Sequence, residues 1–214
     1  MPEGGNQPRQ GPGCVLIGVG VVLGLALLGQ LGKLTRVEGP EPKASAAAIE
    51  DPGVKAQRLA AWFNAANAPA AKCEAAGERL QRQVAALGKG AGDRTAAWQE
   101  ASFARDACRD AWQAVGKAEL PEGLGDAGQA AAKTAVENCA TASFVRSELA
   151  EGLMTVIDGD MRPSALATVE ERGRDLNAAL VLCAGGYFTL GKAEGIAVEQ
   201  LDGAVGAKPS AGKK

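Results

Sequence analysis

From residue 70 to residue 183 the apolar positions fall into four stripes that step alternately by four and three residues. The first is Cys73, Gly77, Leu80, Val84 and Leu87, and "GKGAGD" at 88–93 stops it. Ala97, Ala101, Ala104, Cys108, Ala111 and Val115 make the second, which ends before "AELPEGLGD" at 118–126. The third runs through Ala135, Cys139, Ala142, Val145, Leu149, Leu153 and Val156 to "DGDMRP" at 158–163. Leu166, Val169, Gly173, Leu176, Leu180 and Cys183 form the fourth, up to Gly185-Gly186. Such spacing lines one face of a helix, and Gly- or Pro-bearing connections end each helix. Upstream, Asp51 and Pro52 suit an N-cap and a first helical position, opening a helix through Leu59, Trp62 and Phe63 that Pro69 interrupts or restarts. The pattern predicts an all-α domain over 51–201, built as an antiparallel four-helix bundle.

A different pattern precedes it. Between Arg9 and Lys33 lie 23 consecutive uncharged residues. The stretch from Cys14 to Gly32 matches the length of a membrane span, about 20 residues for a core about 30 Å thick. Its five glycines weaken a helix in water but are common in spans. Gly20 and Gly24 form a GxxxG, a route to a homodimer by close helix approach. A cleaved signal fits less well, since the start is barely basic and "LLGQLGKL" offers no well-placed pair of small residues. A buried soluble helix is the third reading. Composition predicts a disordered tail at 1–13, a Pro/Ala linker at 33–50 and a flexible tail at 202–214. Lys33, Arg36 and Lys43 follow the span, which by the positive-inside count favours a cytoplasmic C-terminal side; that rule is weak for long domains.

Composition then narrows the chemistry. Alanine is about a fifth of the chain and aromatic residues 4%, which suits close-packed helices and not sheets. The 23 basic and 25 acidic residues leave no global field to recruit nucleic acid. There is no histidine, which removes His-based acid–base chemistry, His-activated nucleophiles and most zinc or di-iron sites. No catalytic residue, cofactor site or metal site is assigned.

The four cysteines after the span lie one on each stripe. Cys73 and Cys108 are equidistant from residue 90.5, inside "GKGAGD", and Cys139 and Cys183 from residue 161, inside "DGDMRP". Antiparallel helices joined by a turn set such residues level, where Cα atoms can come within the roughly 4.4–6.8 Å a disulfide needs. The preferred pairing is therefore Cys73–Cys108 and Cys139–Cys183. Cys73–Cys183 with Cys108–Cys139 is the alternative, because the first and fourth helices of such a bundle are neighbours. Loops of this length give about 3 to 4 kcal/mol per bridge in the chain-entropy model. Disulfides persist in oxidising compartments, which places the domain outward and outweighs the charge count. A shared metal site fits poorly, since the four cysteines lack the close pairs typical of zinc.

Other groups carry weaker signals. Trp98 and Trp112, fourteen residues apart, share one edge of the second helix, as filling beside alanines or as an exposed strip for a peptide or lipid. Arg105, Asp106, Arg109 and Asp110 read as a solvated, salt-bridged face, with Asp106 and Arg109 spaced to pair. Asp158 to Asp160 reads as a turn, lacking a full calcium-loop pattern. The sequence thus describes a single-pass, membrane-anchored helical module facing the periplasm or cell exterior, working through an unknown protein partner. The alternative is a bundle that binds a small ligand or lipid in a cavity lined by Trp98 or Trp112.

Overall fold

The computed structural model describes residues 50–201, which belong to one compact unit. The stretch from Cys14 to Gly32 with Gly20 and Gly24, and both tails, lie outside the described residues. Among the described residues no helix is long and apolar enough to cross a membrane.

Asp51 starts the helical array. Its Oδ1 accepts from the backbone N–H groups of Gly53 at 2.8 Å and Val54 at 3.2 Å, and Pro52 takes the position where no backbone donor is needed. Helix α1 spans Pro52–Asn67 and α2 spans Ala70–Gly88. Pro69, between them, supplies no N–H to continue the ladder. Asp93 caps α3, Arg94–Val115, through the N–H groups of Thr95 and Ala96. Helix α4 spans Asp126–Ile157 and α5 spans Pro163–Ala193, followed by a helical turn at 198–201. No strand occurs among the described residues.

From α2 onward each helix packs on the next: α2 on α3, α3 on α4, α4 on α5. Helix α3 lies inside this array, between α2 and α4. All six positions of its stripe, Ala97, Ala101, Ala104, Cys108, Ala111 and Val115, are at most 2% exposed. Ala97, Ala101 and Ala104 share a core with Ala76 and Leu80 of α2 on one side and Ala150 and Ile157 of α4 on the other. Four alanines in that stripe bring the backbones close without a side-chain entropy cost. Helix α4 has 32 residues against 22 in α3, so it runs roughly 15 Å longer at 1.5 Å per residue. Its projecting N-terminal part is covered by α1, whose Leu59 and Ala60 share a core with Leu124, Ala132, Tyr187 and Leu190.

The four-helix bundle expected from the stripes therefore needs correction. The segment before Pro69 is a helix in its own right, giving five described helices. Nor do α2 and α5 form a packed seam, so the array stays open where a four-helix ring would close. The reason is the width of the α2 stripe. Only Cys73, Ala76 and Leu80 are buried on α2, and α3 and α4 use them up. Its flanks carry Glu74, Glu78, Arg79 and Arg82, all exposed, leaving no second apolar face for α5. Gly185-Gly186 also does not stop the last helix, which continues to Ala193. A Cβ on Gly186 would lie 2.8 Å from the Ala135 Cα. The glycine is there because α5 touches the α4 backbone at that point.

Candidate interaction surfaces

Two disulfides staple neighbouring helices. Cys73 bonds Cys108 between α2 and α3, and Cys139 bonds Cys183 between α4 and α5, each with Cα atoms 4.5 Å apart. The alternative pairing is not the one formed. Cys73 and Cys108 are both 0% exposed and sit against Ala111. The Arg146 guanidinium of α4 reaches within 3.8 Å of the Cys73 Sγ. Burial pulls that guanidinium below its ordinary value, against the opposing pull of Glu74 and Glu78. In the second bridge Cys139 is buried but Cys183 only partly so, at the edge of a cluster with Val115, Val136 and Ala140.

A row of side-chain ties follows the surface seam between α3 and α4. The Trp98 indole N–H donates to Asp158 Oδ2 at 3.1 Å. Arg105 faces the Met154 sulfur at 3.9 Å, Arg109 pairs with Glu151 at 2.5 Å, and the Trp112 ring meets Phe144 with centroids 5.1 Å apart. Trp98 and Trp112 thus lie on one seam as their spacing requires, in unlike settings. Trp98 packs on the α2–α3–α4 core, whereas Trp112 is 42% exposed. Asp106 pairs with Arg105 at 2.8 Å, which holds its carboxyl below the usual value. The expected Asp106–Arg109 pair gives way to the reach of Arg109 across to α4.

Two open clefts mark the surface. One of about 270 Å³ lies between α4 and α5, lined by Asn138, Thr141, Val145, Asp175, Ala178, Ala179 and Leu182. The other, about 570 Å³, is bounded by Glu50, Arg58, Trp62, Pro121, Glu122 and Gly123. There the Trp62 indole N–H donates to the Glu119 carbonyl at 2.8 Å. Arg58 pairs with Glu50 at 3.0 Å and donates to the Glu122 carbonyl at 2.9 Å. Neither cleft is lined by Trp98 or Trp112, so the cavity expected of a ligand-binding bundle is not formed by them at these two places.

The largest departure from the stripe reading is α5. Of its six predicted stripe positions none is fully buried, and Leu180, Val181 and Leu182 are 36%, 60% and 57% exposed. The run "LVLCAGGYFTL" at 180–190, apolar on every side of a helix, ordinarily means a helix covered all round, so the sequence points away from this exposure. Arg146 of α4, between Val145 and Ser147, has no charged residue three or four positions away to single it out. Among the described residues no group of three or more His, Cys, Asp or Glu side chains is placed to hold a metal ion. Comparison with protein families, with curated proteins and with solved structures finds no match to this chain.

Proposed function

We propose that this chain is a membrane-anchored helical module that faces an oxidising compartment and acts by contact with a protein partner, without catalysis. The observation that carries the reading is the pair of disulfides, one within each helical hairpin, since such bridges persist outside the reducing cytoplasm. The uncharged stretch from Cys14 to Gly32 supplies a single-pass anchor. Contact, as opposed to chemistry, is supported by how the polar groups are used: Arg58, Arg79, Arg105, Arg109 and Arg162 are each engaged by a carboxylate of the same domain. The apolar residues left outward, Phe103 and Trp112 on α3 and Val181 and Leu182 on α5, are material for a partner surface.

The test is membrane extraction with protease access. The full chain should stay with membranes through an alkaline wash, and protease added to cells whose outer envelope has been opened, with the inner membrane intact, should digest the domain. Release by the wash would remove the anchor, and protection from outside protease would reverse the orientation. A small-ligand or lipid reading is supported by the cleft beside Trp62 and Arg58. Saturable quenching of Trp62 emission, in a chain with Trp98→Phe and Trp112→Phe, would favour it over the interaction reading.

A further inference from the structure

The face of α5 turned away from α4 carries a stripe of its own. Glu170, Arg174, Asn177, Val181, Gly185, Phe188 and Lys192 follow at steps of four, three, four, four, three and four. All seven are exposed, with Val181 60% and Phe188 36%. Glu170, Arg174 and Lys192 take part in no ion pair among the described residues, although most arginines of the domain do.

The series of steps reads the same from either end, with Val181 at its centre. A two-fold axis through Val181 and across the helix sets an antiparallel second copy at matching heights wherever residue numbers sum to 362. Val181 then meets Val181, Asn177 meets Gly185, Arg174 meets Phe188 and Glu170 meets Lys192, the last three pairs twice each, as an isologous interface requires. Each pairing is favourable in kind. Opposite charges face each other at both ends, a guanidinium lies over an aromatic ring, and the valines are apolar at the axis. Gly185, with open space where a side chain would stand, admits the longer Asn177. A parallel copy would set Glu170 on Glu170, Arg174 on Arg174 and Lys192 on Lys192, which like-charge repulsion disfavours. We propose that the outer face of α5 binds a second copy of this chain, antiparallel and centred on Val181. This does not rest on the membrane reading. One helix face is smaller than the roughly 800 Å² per partner of a standard stable interface, so the pair is a weak, concentration-dependent one.

The test is sedimentation velocity on the full chain in detergent micelles over a series of concentrations. The mean mass should rise toward that of two chains. Val181→Arg, on an exposed site, should abolish the rise while helix content and both disulfides stay intact. Lys192→Glu should weaken association by setting like charges opposite, and adding Glu170→Lys to it should restore it. A chain that stays single at every concentration overturns the proposal. So does a dimer that survives Val181→Arg, as one held by Gly20 and Gly24 would. Loss in Lys192→Glu without recovery in the double variant overturns the antiparallel register.

Discussion

Helices α3 and α5 carry stripes of the same period and the same number of positions, yet one is sealed and the other is not. On α3 all six positions are buried; on α5 none is fully so. The residues do not explain it, since the α5 stripe is the more apolar, with Leu, Val and Cys where α3 has mostly Ala. The difference is the number of neighbours. Helix α3 lies between α2 and α4, whereas α5 packs almost wholly on α4, with α1 a minor neighbour. A 3.6-residue period states which side of a helix faces inward. It does not state how many helices stand there.

That contrast can be broken first at the staples. Replacing Cys139 and Cys183 by Ser should cost about 2–5 kcal/mol, with amide-exchange protection lost from α5 while α3 keeps its own. If both helices lose protection together, α5 is not the separable edge described here. Next come additions of volume. Ala104→Leu, at a position 0% exposed, should destabilise by about 1–3 kcal/mol, and Ala184→Leu, exposed on α5, should stay within about 0.5 kcal/mol. Equal costs in chemical denaturation would mean that α5 is as enclosed as α3.

The two adjacent glycines of α5 sharpen the comparison further. Gly186→Ala drives a methyl against the α4 backbone and should destabilise, despite the better helix propensity of alanine. Gly185→Ala meets nothing within 4 Å and should stabilise the monomer by about 0.5–1 kcal/mol. A gain at both sites would show that α5 stands off from α4.

The smallest effect lies in the turn that leads into α5. Hydrogen bonds from the Arg162 guanidinium and backbone N–H lower the Asp160 carboxyl from 3.8 to about 2. A depressed carboxylate stabilises the fold above its ordinary value, and that contribution disappears as the pH falls from 3.8 toward 2. Arg162→Ala should therefore melt slightly lower than the parent near pH 5, with the gap closing toward pH 2. A gap that is constant over this range would leave the pair without a role in stability.

Much of the helical layout was legible because capping and punctuation are local. Asp51-Pro52, Asp93 and Pro163 act within three residues of where they stand. The pairing of Cys73 with Cys108 and of Cys139 with Cys183 could be counted because each hairpin turns at one identifiable point. The open seam between α2 and α5 was not legible, since it depends on the width of the α2 stripe and on the extra length of α4. The half-burial of Arg146 beside Cys73 and the reach of Arg109 to Glu151 depend on tertiary packing that no spacing along one helix records. Gly185-Gly186 misled for a related reason: a glycine placed for close approach looks in sequence like one placed for a stop.

Thiol labelling tests most directly the proposal that this domain, held by two disulfides, stands in an oxidising compartment. Intact cells and denatured extract would be alkylated with and without prior reduction, and the cysteine peptides mapped. The account predicts Cys73, Cys108, Cys139 and Cys183 blocked until reduced, with cross-linked peptides 73–108 and 139–183 recovered. All four labelled in denatured extract without reductant would contradict it, and would place the domain on the reducing side of the membrane.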